Sequence, residues 1–215
     1  MSKGPIQDSV IKRIFEVIIE TTQKCKCNKN TSYYQDCSLK LQLENKKHSY
    51  DLNNLLKERL KTNKTKCGEC KKTFEVTNRI SRLPSVVVTL NRIVENENFQ
   101  NQVRFPVNGL NMNGYLGGTD QVGEYNLYVV SNHIGEQMNK VHFLAKCKSI
   151  EEDVWWKFED KKCTKDVEPF YRESDQTYIL FYTSTDRPAY KNSIMNVPIR
   201  EGKSEKTAQW FALCV

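Results

Sequence analysis

The chain has 215 residues and a mass of 25.1 kDa, enough for one sizeable domain or two small ones with an ordinary apolar core. Hydrophobic residues make up 38% and charged residues 27%, with a mean hydropathy of −0.66, which excludes a disordered chain and a hydrophobic membrane bundle. The net charge of +7 is concentrated: Lys24 to Lys72 carries twelve lysines and one arginine against five acidic residues, a balance of +8.

No apolar run approaches the ~20 residues of a membrane helix. Met1 to Asp8 lacks the basic-then-apolar pattern of a secretory leader. The expected compartment is cytoplasm or nucleus, where thiols stay reduced, so the eight cysteines need a role other than disulfides.

In chain order, Ser9 to Ile19 places Val10, Ile11, Ile14, Phe15 and Ile18 on one helical face, while Val17 to Ile19 equally suits the start of a strand. Lys24 to Asn30 is polar and carries the first cysteine pair. Cys37 to Leu43 alternates and reads as a strand. Asp51 is an N-cap for a short helix with Leu52, Leu55, Leu56 and Leu60 as its stripe. Phe74 to Ile80, Val86 to Ile93, Tyr125 to Ser131, Val141 to Lys148, Val154 to Phe158 and Tyr178 to Thr183 read as strands. Two short helices and about eight strands give an antiparallel-rich α+β domain. The tail from Thr185 is expected to be irregular, with Trp210, Phe211 and Leu213 as a docking anchor.

Cys25-x-Cys27 and Cys67-Gly-Glu-Cys70 are two close pairs. Zinc takes four ligands in a tetrahedron and suits thiolates, and a tight knuckle offers two sulfurs at once. Gly68 lets the second knuckle turn with its amides aimed at the sulfurs. Four thiolates would close the site, so the expectation is one structural zinc per chain; free buried thiols are the alternative. Cys37 and His48 lie between the pairs as reserve ligands, and Cys147, Cys163 and Cys214 read as scattered thiols. The lysine-rich segment reads first as a solvated surface. Attraction to nucleic acid through it is the weaker reading, since lysine is the poorer planar recogniser.

The second half carries an ordered set of motifs. Arg82-Leu83-Pro84 leads into an apolar run ending Leu90-Asn91-Arg92-Ile93. Phe105-Pro106 is followed by Leu110-Asn111. Tyr125 to Tyr128 leads to Asn132-His133-Ile134-Gly135. Val141-His142-Phe143, Trp156-Lys157-Phe158-Glu159-Asp160 and Tyr178 to Tyr182 complete it. Together with the paired cysteines, this order resembles the ubiquitin-specific protease family (the ubiquitin carboxyl-terminal hydrolases). The resemblance implies a papain-like cysteine protease palm with zinc-ribbon-like fingers, truncated at the N-terminal side. It implies a partial domain over 1–184, with fingers at about 20–80 and palm at about 81–184, and a C-terminal extension over 185–215.

The resemblance also implies roles. His142 stands where the family has its imidazole base. In the strand, Val141, Phe143, Ala145 and Cys147 share one face, so His142 is expected to point away from the core into a cleft. Glu159 takes the place of the orienting Asp or Asn, one methylene longer, and a misplacement of about 1 Å costs on the order of 10²-fold in rate. Asp160 matches the second acidic position. His133 and Gly135 are expected to contact substrate, and Trp155, Trp156 and Phe158 to fill the core. No segment resembles the family's Asn-Thr-Cys-Tyr-like nucleophile box or its helical thumb. The implied partners are ubiquitin or a ubiquitinated protein, and a chain or segment supplying the thumb. Two expectations follow: a thiol deubiquitinase lacking its nucleophile on this chain, or a non-catalytic module that binds ubiquitin or another protein.

Overall fold

The computed structural model describes residues 10–27, 29–43, 49–94, 97–98, 101–117, 123–134, 142–149, 153–160, 162–166 and 173–184. His48, Gly135, Val141, Cys214 and the tail anchor Trp210, Phe211 and Leu213 lie outside them. A helix α1 (Val10–Phe15) leads into β1 (Val17–Lys24) and β2 (Lys29–Asp36), so the strand reading of Val17 to Ile19 holds. Then come β3 (Leu39–Gln42), β4 (Ser49–Asp51), α2 (Leu52–Leu60), β5 (Asn63–Lys66) and β6 (Thr73–Arg82). The chain continues through β7 (Ser85–Asn91), β8 (Ile93–Val94), β9 (Glu97–Asn98), β10 (Gln102–Arg104) and β11 (Leu110–Asn111). It closes with β12 (Glu124–Ile134), β13 (His142–Lys148), β14 (Trp155–Glu159), β15 (Lys162–Asp166), β16 (Glu173–Ser174) and β17 (Thr177–Ser184).

Two sheets organise the molecule. The larger runs β15-β14-β13-β12-β17-β7-β3, antiparallel throughout except where β3 lies parallel to β7, with β11 added against β12. The smaller runs β2-β1-β6-β5 and forms the fingers. The segment 39–60 lies within the span expected for fingers. Within it, β3 joins the larger sheet, and Leu52, Leu56 and Leu60 of α2 enter the main core. That helix begins as the sequence dictates, with Asp51 Oδ1 accepting from the amides of Asn53 (2.9 Å) and Asn54 (3.3 Å).

The main core lies on one face of the large sheet. Val86, Val88 and Leu90 of β7, Val130 of β12, and Leu180 and Tyr182 of β17 meet Leu39, Leu41 and the α2 leucines there. Buried tyrosines keep their hydroxyls satisfied: Tyr125 donates to the Leu83 carbonyl and Tyr182 to that of Pro106, each at 2.9 Å. The other face carries a smaller cluster of Tyr128, Val129 and Cys147, with Ala145, Phe158 and Phe181 against it. Phe15 of α1 meets Phe181 edge-on at 6.2 Å.

Arg92 is buried at the end of β7, 1% exposed. Its guanidinium donates to the carbonyls of Thr177 (2.6 Å), Asn101 (2.6 Å) and Ser174 (3.1 Å). It therefore ties β10 and the β16–β17 turn to the sheet.

Candidate functional site

At the tip of the fingers, the β1–β2 hairpin carries Cys25 and Cys27, and the β5–β6 hairpin carries Cys67 and Cys70. The strand pairing of β1 with β6 brings the two turns side by side. All four sulfurs lie within 4.8 Å of one another, and Cys25 Sγ is 3.5 Å from Cys70 Sγ. Zinc–sulfur bonds of about 2.3 Å in a tetrahedron place sulfurs roughly 3.8 Å apart, so the donor set fits.

The second knuckle is built by its backbone. Cys67 N donates to Lys72 O at 2.9 Å, and Lys71 N donates to Cys67 O at 3.1 Å, with Lys71 in the left-handed region at φ 59°. The amides of Cys70 and Glu69 point at Cys67 and draw its thiol down to about 7, toward the thiolate a metal needs. The four cysteines thus form a closed structural zinc site; the ion would pin two hairpin tips together and offers no open position for chemistry. Cys37, a reserve ligand by sequence, is exposed at the β2–β3 turn and outside this cluster.

The second constellation is at one end of β13. His142 Nε2 lies 3.0 Å from Glu159 Oε1 on the neighbouring strand β14. The other carboxylate oxygen, Oε2, is 2.7 Å from Lys157 Nζ. Asp160, in the β14–β15 turn at φ 51°, is mostly exposed and sits 3.9 Å from His142 Nδ1. The Lys157 ammonium, then the His142 contact, hold the Glu159 carboxyl below its ordinary range. The extra methylene of Glu159 does not keep it from the ring.

The facing of His142 differs from expectation. His142 pairs with Ile134, Leu144 with Asn132, and Lys146 with Val130. Val130 in turn pairs with Leu180, and Leu180 with Val88, both in the main core. His142 therefore shares the face of the main core, while Phe143, Ala145 and Cys147 face the smaller cluster. The alternation was right, but both faces are covered, so alternation alone did not tell which was inside. The main core gives out toward the end of the strand, and the His142 side chain remains 38% exposed there. Phe143, expected inside, is 52% exposed.

His133 lies on the opposite face from His142. It is 6% exposed, edge-on to Phe143 at 5.1 Å and tilted against Tyr178 at 6.2 Å. Burial first, and the nearby Arg92 charge second, lower its pKa below the usual histidine value. Cys147 and Cys163 both face away from His142: Cys147 opposes Val129 and Trp156, and Cys163 opposes Phe158. Trp155 packs against the main core and Phe158 against the smaller cluster; all three aromatic residues of β14 are half-buried. Lys157 was missed by sequence reading. The signal was present, since residues two apart on a strand share a face.

The model of one family, ubiquitin carboxyl-terminal hydrolase, matches residues 2–182. The chain belongs to this family. Usp2 of Drosophila melanogaster, a ubiquitin carboxyl-terminal hydrolase, is 28% identical over 193 residues, covering 83% of this chain and 20% of that protein. Ubiquitin carboxyl-terminal hydrolase 2 of Gallus gallus is 32% identical over 126 residues, covering 55% of this chain and 35% of that one. Among solved structures, Ubp8 in the SAGA DUB module with Sgf11, Sus1 and Sgf73, bound to ubiquitin aldehyde, aligns with a TM-score of 0.66. It shows 26% identity, over 86% of this chain and 44% of that chain. A second Ubp8 module structure gives a TM-score of 0.69 at 25% identity. The palm-and-fingers fold of the ubiquitin-specific proteases is thus the fold of this chain, which spans a fifth to a third of the length of these two curated relatives. Among the described residues no helix is long and apolar enough to cross a membrane.

Proposed function

We propose that this chain is the fingers-and-palm side of a thiol-dependent deubiquitinase acting on the isopeptide bond at the C-terminus of ubiquitin. The His142–Glu159 contact at 3.0 Å, in a chain of this family, carries the reading. With Nε2 held by Glu159, Nδ1 is left to take a proton from a thiol and return it to the leaving amine. Glu159 orients the ring and stabilises the imidazolium that forms; Asp160 adds a second negative charge beside Nδ1. Gly135 serves as a substrate contact, while His133, expected to be one by resemblance, is buried against Phe143 and Tyr178 on the face opposite His142.

The nucleophile is not supplied by the cysteines that flank the site, because Cys147 and Cys163 face away from His142. The sulfur and the helical thumb that presents it come from a partner chain or segment, and the isolated chain does not cleave ubiquitin. The working division is fingers at about 20–80, apart from β3 and α2, which join the larger sheet and its core, palm at about 81–184 and an extension over 185–215. A cluster of reduced thiols suits cytoplasm or nucleus.

A second reading is a pseudo-deubiquitinase that binds ubiquitin without cutting it. It is favoured by Glu159 where the family has Asp or Asn, and by Phe143 where the family has Tyr. Mixing the chain with a fluorogenic ubiquitin ester, and following ubiquitin binding by NMR, tests the proposal. Binding without hydrolysis is expected. Hydrolysis abolished by His142→Ala would overturn the inactivity, and absence of ubiquitin binding would overturn the family role.

A further inference from the structure

The Glu159 carboxylate is shared between two cations or potential cations. One oxygen meets the His142 ring at 3.0 Å and the other meets the Lys157 ammonium at 2.7 Å. Lys157 and Glu159 stand two apart on β14, on the face that His142 occupies on β13. Both side chains are more than a third exposed, so the ion pair adds little to stability. Its geometry has another effect.

A glutamate reaches the imidazole through one more rotatable bond than an aspartate or asparagine. An acceptor that swivels leaves the ring free to turn. Anchoring one oxygen removes the swivel: with Oε2 on Lys157, Oε1 is directed at Nε2. The geometry points to Lys157 as a positioning residue for the His142 ring, acting through Glu159 and making a glutamate serve where a shorter side chain is expected. This rests on the reading of His142 as the imidazole base.

The neighbouring charges do not duplicate the role. Lys146, on the same face, is engaged by Asp166 at 2.7 Å. Lys162, opposite Glu159 on β15, is exposed. Asp160 is on the Nδ1 side of the ring and repels rather than anchors a carboxylate. The lowered Glu159 carboxyl, with Lys157 as its first cause, agrees with an anchored anion.

The test is solution NMR on the full chain near neutral pH, following solvent exchange of the His142 Nε2 proton. Lys157→Met should speed exchange about fivefold, the scale of one lost hydrogen bond. Lys157→Arg should restore it, and the melting temperature should move by less than about 2 °C. In a Glu159→Asp background, Lys157→Met should have no effect, because the swivel is gone. Unchanged exchange in Lys157→Met, or equal acceleration in both backgrounds, overturns the assignment. Glu159→Ala separates the two levels. If it speeds exchange while Lys157→Met does not, only the role of Lys157 falls; if it does not, the orienting pair falls and the proposed function with it.

Discussion

Replacing Arg92 by methionine keeps the aliphatic stem and removes the guanidinium. Three carbonyls, of Thr177, Asn101 and Ser174, lose their donor at a site that is 1% exposed. Burial lowers the Arg92 pKa to about 10, with Asp175 opposing the shift, so the group stays cationic at neutral pH. Hydrogen bonds from a charged donor contribute about 1.5–3 kcal/mol each. The desolvation cost of the guanidinium offsets part of that sum, and breaking a buried polar set of this kind costs about 3–5 kcal/mol. With a urea slope of about 2–3 kcal/mol per molar, the midpoint should fall by roughly 1–2.5 M. Tryptophan fluorescence in urea reads it, since Trp155 and Trp156 stand in the same sheet. Arg92→Lys keeps the charge but loses the fork, so it should fall in between and remain folded if the methionine variant does not. A midpoint within about 0.3 M of wild type for both variants would refute the reasoning, because it would mean that the three carbonyls are equally well served by water.

Metal analysis of the purified chain should give about one zinc per chain, and Cys67→Ser or Cys70→Ser should abolish it, with loss of amide protection in both finger hairpins. Asp51→Ala should cost about 1 kcal/mol by removing the acceptor for the first amides of α2, measurable as a shift in urea midpoint. Asp36 is pulled down to about 2: burial opposes the shift, but Lys40 at 2.7 Å, the Tyr34 hydroxyl at 2.6 Å and the Cys37 amide at 2.7 Å outweigh it. Its folded pKa is below its unfolded one, so its stabilisation is complete above about pH 4 and is lost as pH falls toward 2. Asp36→Asn should therefore lower stability at pH 6 and narrow the gap to wild type at pH 2, as acid titration of the melting temperature would show.

The strands legible in the sequence are those that bury apolar side chains: β7, β12 and β17 stand in the main core, and their β-branched runs announced them. The finger strand β2, Lys-Asn-Thr-Ser-Tyr-Tyr-Gln-Asp, and the edge strand β15, Lys-Cys-Thr-Lys-Asp, carry almost no apolar pattern, because they are held by ladder hydrogen bonds at sheet edges. The cysteine pairs were legible as knuckles. Their wide separation was puzzling by sequence alone; it exists because the chain leaves the fingers after β2, contributes β3 to the larger sheet and α2 to its core, and returns at β5. The pairing of His142 with Glu159 followed from motif order, whereas the Lys157 contact, open to it from its place two residues before Glu159 on one strand face, needed coordinates to single it out among a lysine's several reachable partners.

The long finger strands change character along their length. β1 is buried at Val17 and Ile19 and exposed at Lys24; β6 is exposed at Thr73 and buried at Ile80. Mechanically they are cantilevers, clamped at the root by hydrocarbon and held at the far end by ladder hydrogen bonds and the sulfur cluster alone among the described residues. Removing the metal would slacken the overhang without loosening the clamp, so the reach of the molecule and the solidity of its base are governed by separate forces and can be altered one at a time.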